Sequence, residues 1–158
     1  MPSDKAVALY LRLAMRVGLA SQDDVERWAD SLVARHPTVT YPVTELCMAR
    51  RLSRSAVDEL LGEFPGSVDR FLPARMLMAL VRRRLLTGQL PGRHAASVIC
   101  AVAQVGDLPD DEASLADWLD DQYWLAESGT QGTVAAADED LKEFLERFAT
   151  YEAGLPAA

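Results

Sequence analysis

Apolar residues recur along this chain at three- and four-residue intervals, and no stretch alternates as a half-buried strand would. Val7, Tyr10, Leu11, Ala14 and Val17 form one stripe, and Gly18 stands where a helix C-cap falls. Ser21 and Asp24 have the spacing of a capping box, ahead of a stripe of Val25, Trp28, Ala29, Leu32 and Val33. Pro37 ends that helix, and Pro42 opens a short one through Val43, Leu46 and Cys47. Ser53 or Ser55 caps the next, whose inner face is Val57, Leu60, Leu61 and Phe64, before Pro65-Gly66 turns the chain.

Ser67–Gly88 reads as one long helix, or as a short turn and a helix divided at Pro73. Met76–Val81 is apolar on every side, which predicts an element enclosed by others. After the turn Leu90-Pro91-Gly92, the residues Ala95, Val98, Ile99 and Val102 mark a further helix. Gly106–Asp111 reads as a linker, and Ser114 as the cap of a helix running to about Ser128. Gly129–Thr133 is a loop, and Leu141, Phe144, Leu145 and Phe148 face inward from the last helix. No repeat of fixed period emerges. The pattern predicts an all-α fold, a compact single-domain helical bundle of about seven or eight helices over residues 1–158, with a frayed tail over 154–158.

Composition adds little to this picture. A chain of 158 residues can build one substantial core, and 49% hydrophobic with 25% charged residues is the balance of a globular rather than a disordered protein. The longest nearly apolar run, Ala95–Val105, is too short to span a bilayer. Arg12 and Arg16 interrupt the apolar stretch Ala6–Ala20 at helical spacing, so it reads as an amphipathic helix rather than a secretory leader. The two cysteines, Cys47 and Cys100, make no disulfide framework, which fits a reducing cytoplasm.

Charge changes the picture more. Residues 1–106 carry 14 Lys+Arg against 10 Asp+Glu, whereas residues 107–158 carry 2 against 14. An acidic C-terminal third of this kind steers cationic partners and repels nucleic acid and anionic membranes. The chemistry of catalysis is sparse beside it. The only histidines are His36 and His94, and neither stands in a local signature with Cys47 or Cys100 that nucleophilic catalysis or a zinc site would need. There is no phosphate-binding glycine motif. These observations give no reason to expect an enzyme, a metal or a cofactor.

Three features stand above this background. In Asp117-Trp118-Leu119-Asp120-Asp121-Gln122-Tyr123-Trp124, helical geometry puts Leu115, Trp118, Leu119, Gln122, Leu125 and Ala126 on one face, read as core with Trp118 near its centre. Asp117 and Asp121 stack on a different face with Trp124 beside them. This is the composition of an anchor for a basic partner, with Asp120, Tyr123 and Glu127 as its rim. The competing reading packs Trp124 against the last helix and leaves the aspartates to solvate the surface. Asp117, Asp120 and Asp121 also resemble the Mg²⁺-binding motif of all-α isoprenoid synthases, but such a site needs a second acidic motif across a deep cavity in a much longer chain.

The second feature, Cys47–Val57, resembles the helix-turn-helix of bacterial transcription regulators, with Cys47, Leu52, Val57 and Leu61 in the buried places. It departs from that pattern at Arg50 and Arg51, and Asp58 and Glu59 would meet the phosphates of a DNA groove unfavourably. The third is Arg82-Arg83-Arg84 near a helix end, for which the acidic third offers intramolecular partners.

In layout the chain resembles small, acidic, all-α bacterial proteins of unknown function found among the immunity proteins of polymorphic toxin systems. The residues that carry the likeness are Gly18-Leu19, Asp24, Trp28-Ala29, Glu45-Leu46, Leu119–Tyr123, Leu125-Ala126 and Gly129–Thr133. The resemblance implies a cytoplasmic inhibitor that covers a toxin's active site with acidic and aromatic groups. The combined expectation is a non-enzymatic protein-binding protein acting through Asp117, Asp120, Asp121, Tyr123, Trp124 and Glu127. Its partner is a protein with a basic surface, not a nucleic acid or a membrane. The alternatives are a DNA-binding regulator built on residues 46–61 and an adaptor subunit of a larger assembly.

Overall fold

The computed structural model describes residues 2–36, 38–105 and 108–156, and all regular structure among them is helical. They form α1 (Asp4–Arg16), α2 (Gln22–Arg35), α3 (Tyr41–Leu46), α4 (Arg54–Gly62), α5 (Leu72–Leu86), α6 (Gly92–Gln104), α7 (Asp110–Glu127) and α8 (Val134–Glu146). Single 3₁₀ segments follow at Ala49–Arg51 and Ala149–Gly154. No helix among the described residues is long and apolar enough to cross a membrane.

The chain divides into two compact units, one built from residues up to Asp69 and the other from Arg70–Leu155. The division does not follow the change in charge balance near residue 107. The expected linker at Gly106–Asp111 lies within the second unit, where Gly106 and Asp107 are outside the described residues and α7 already begins at Asp110. Pro37, expected to end a helix, and Ala157 and Ala158 of the expected frayed tail are likewise outside the described residues.

In the first unit α1 packs on α4 and on α2, and α2 packs on α3 and the Ala49–Arg51 turn. Ser3 caps α1, and Gly18 ends it at φ +76°, with Leu19 N–H bonding to Ala14 O and Gly18 N–H to Met15 O. The reciprocal Ser21–Asp24 capping box is present at the start of α2. Val33, expected on the inner stripe of α2, is exposed, because Val25, Trp28, Ala29 and Leu32 already define the buried face. Ser53, not Ser55, caps α4 through the amide of Ala56.

In the second unit α5 is the enclosed element, with every residue from Met76 to Val81 buried. It packs on α6, α8 and the Ala149–Gly154 turn. The chain is divided before Pro73, which sits in the first turn of α5 where its missing N–H costs nothing. Arg82 donates to Glu146 at 2.7 Å and to Glu152 at 2.5 Å, so the acidic third supplies its partners. Helix α7 starts at Asp110, four residues before the expected cap Ser114. Pro109 ends the preceding segment, and Asp110, Asp111 and Glu112 place negative charge on the exposed amides of the first turn.

Candidate functional site

Helix α7 is held against α6 and α8 by contacts that decide which of its side chains face solvent. Its buried residues are Ala116, Leu119 and Tyr123, spaced three and four apart. That face is turned well away from the one expected, which had Trp118 at its centre. Trp118 is 43% exposed, a correction to its assignment to the core. Small Ala116 lets α7 approach its neighbours closely, and Tyr123 fills the interior in place of the indole.

Tyr123 is fully buried, so it does not belong to the rim of a surface patch. Its hydroxyl donates to Asp138 of α8. Burial, with the carboxylate beside it, pushes the phenol's pKa up, so it stays a neutral donor. Gly92 at the start of α6 completes this junction. A Cβ there would collide with the Asp138 carboxylate and the Tyr123 hydroxyl and would lie 3.2 Å from the Tyr123 Cζ.

The remaining acidic residues of the expected patch separate into two groups. Along the antiparallel α6–α7 pair, Arg93 donates to Asp120 and its Nε lies 3.3 Å from Glu127 Oε2. Ser97 Oγ donates to the same Asp120 oxygen at 3.2 Å. Asp120 and Glu127 therefore share one cation within the unit. Asp117 accepts a hydrogen bond from Cys100 Sγ at 3.3 Å, and no cation among the described residues pairs with Asp117 or Asp121. Burial and the Asp117 carboxylate push the Cys100 thiol up to about 11, which keeps it protonated and weakly reactive.

Trp124, which the competing reading packed against α8, is 60% exposed. The solvent face of α7 thus presents Asp117, Trp118, Asp121 and Trp124 together. Three of these were expected, and Trp118 was missed because α7 carries apolar residues around most of its circumference. An exposed pair of tryptophans on one helix is unusual, since large aromatic side chains are generally removed from water. Single exposed apolar residues need no explanation; two indoles beside uncompensated carboxylates form an amphipathic surface able to desolvate and to attract.

No group of three or more His, Cys, Asp or Glu among the described residues is placed to hold a metal ion. Asp120 pairs with Arg93 and Asp117 accepts from Cys100, while Asp121 is exposed. In the first unit a groove of about 430 Å³ is lined by Asp4, Lys5, His36, Val43 and Phe64 among others. His36 Nε2 is 3.7 Å from Asp4 Oδ2, and the Lys5 ammonium donates to Gly62 O at 2.6 Å. Burial, with the Asp30 carboxylate nearby, raises the Cys47 thiol, and Cys100 donates to Asp117.

In the segment resembling a helix-turn-helix, Val57 and Leu61 are buried, whereas Cys47 and Leu52 are half-buried. Arg54 donates to the Met15 carbonyl at the end of α1. Asp58 is clasped by Arg12 at 2.7 Å and Arg16 at 2.8 Å. Two residues of the would-be recognition helix are thereby engaged with α1. Comparison with known proteins finds no matching family model, no matching curated protein and no matching solved structure.

Proposed function

We propose that this chain is a non-enzymatic, cytoplasmic protein-binding protein, an inhibitor of the toxin-immunity type, that engages a basic surface of its partner through the solvent face of α7. The observation that carries the reading is the pairing of two exposed indoles, Trp118 and Trp124, with two carboxylates, Asp117 and Asp121, that no cation among the described residues neutralises. The carboxylates would accelerate encounter with a basic surface, and the indoles would supply the desolvated anchor area. Arg93 already pairs with Asp120 and Glu127, which makes them supports of the helix rather than contacts.

The two roles separate kinetically. With the partner protein in hand, Trp124→Ala should speed dissociation, whereas Asp117→Asn with Asp121→Asn should mainly slow association and flatten its salt dependence. A partner whose rate constants ignore all three substitutions binds elsewhere. The inhibitor reading further requires that the partner be harmful when produced alone and harmless when produced with this chain.

A further inference from the structure

Asp121 lies three residues after Trp118 and three before Trp124, the pattern Trp118-x-x-Asp121-x-x-Trp124. On a helix these offsets place one indole about 60° to each side of the carboxylate and about 4.5 Å above and below it along the axis. Side chains at such spacing are neighbours, so a cation bound by Asp121 sits within reach of both rings. Asp117, one turn before Asp121, adds a second carboxylate about 6 Å along the axis. The chain's own cations leave both rings unused: the cation–π contacts among the described residues fall on Phe71 and Phe144.

The geometry points to recognition of guanidinium groups: an arginine-bearing segment of a partner protein, with arginines one helical turn apart pairing with Asp117 and Asp121 and stacking against Trp118 and Trp124. This rests on the protein-binding reading of the α7 face and names the side chain it selects. Arginine fits where lysine does not. Its planar fork meets a carboxylate through two hydrogen bonds, it stacks on aromatic faces, and it gives up water more readily than an ammonium. A second copy of the same face is disfavoured by the like charges of Asp117 and Asp121. The residues 70–155 as a whole carry 8 Lys+Arg against 14 Asp+Glu, which favours a cationic occupant over any anionic one.

The test uses three capped, alanine-based helical peptides with arginine, lysine or citrulline at positions four apart. They are titrated into the full chain at low salt while the indole N–H signals of its three tryptophans are followed by NMR. The arginine peptide should shift the Trp118 and Trp124 signals and leave that of buried Trp28 in place. Lysine should bind at least about threefold more weakly, and citrulline, which keeps the shape and loses the charge, should not bind measurably. Asp121→Asn should abolish the difference between arginine and lysine, whereas Asp140→Asn on α8 should not.

Equal binding of the lysine and arginine peptides at both indoles would overturn guanidinium selection while leaving a basic-partner face intact. Movement of neither indole would also overturn it, and the kinetic variants then decide separately whether the face binds a protein at all. An arginine–lysine difference that survives in Asp121→Asn would place the selectivity elsewhere and overturn the assignment.

Discussion

Tyr123 and Trp124 are adjacent in sequence and about 100° apart around α7, one buried and the other exposed, so truncating them should have unequal consequences. Tyr123 is fully buried, and its hydroxyl holds Asp138 beneath the start of α6. Tyr123→Ala removes a large core ring, which costs about 3–5 kcal/mol for side chains of this size. It also leaves a carboxylate without its donor, adding about 1–3 kcal/mol. Tyr123→Phe isolates the second contribution alone. Trp124 is 60% exposed, and its replacement by alanine should change stability by no more than about 0.5 kcal/mol.

Urea unfolding followed by far-ultraviolet circular dichroism measures all three variants on one scale. The order of loss should be Tyr123→Ala, then Tyr123→Phe, then Trp124→Ala close to wild type. For a chain of this size each kcal/mol corresponds to roughly 2–4 °C in Tm, so thermal scans provide a second reading. A Trp124→Ala variant as unstable as Tyr123→Ala would mean that the indole is a core residue. The surface built around it would then not exist.

Four further outcomes follow from the same geometry. Gly92→Ala should destabilise by about 1–3 kcal/mol, because its Cβ would enter the space of the Tyr123 hydroxyl and the Asp138 carboxylate; unchanged denaturant stability would show that the junction is loose. Hydrogen bonds from Arg16 and Arg12 hold the Asp58 carboxyl below the usual carboxylate range, so its contribution is present above its unfolded value near pH ~4 and is lost as pH falls through its lower folded value. The stability gap between wild type and Asp58→Asn should therefore narrow on acidification, and a gap that widens would contradict the pairing. In a Cys47→Ser background, Cys100 should alkylate at pH 8 at least about tenfold more slowly than an ordinary thiol and faster after Asp117→Asn; ordinary reactivity would rule out the Asp117 contact. The ratio of caesium to iodide quenching of tryptophan fluorescence should exceed that of a free tryptophan amide, since Trp118 and Trp124 sit among carboxylates, and should fall in the Asp117→Asn, Asp121→Asn double variant; a ratio equal to that of the free amide would place the rings outside a negative field.

Helical period, capping residues and prolines made the elements legible. Ser21–Asp24, Gly18, Ser53 and Pro73 each act through local geometry that a few consecutive residues determine. The site was legible only in part. Asp117, Asp121 and Trp124 could be placed on one face by spacing alone, yet spacing could not say which face of α7 turns inward. Leu115, Trp118, Leu119, Leu125 and Ala126 make as apolar a stripe as the one that is buried. The choice is settled by Tyr123 reaching Asp138 and by Arg93 reaching Asp120, pairs separated by 15 and 27 residues. Such pairings leave no periodic trace. For the same reason the start of α7 was misjudged at Ser114, since Pro109 and three successive acids open the helix without a side-chain cap.

The central claim, that the solvent face of α7 binds a basic protein, is tested most directly by affinity capture from a lysate of the source cells. The wild-type chain and its D117N/D121N/W124A variant serve as parallel baits at low and moderate salt. The account predicts one stoichiometric, basic protein on the wild-type bait, weakened by salt and lost from the variant. A partner retained equally by both baits, or no partner on either, would contradict it.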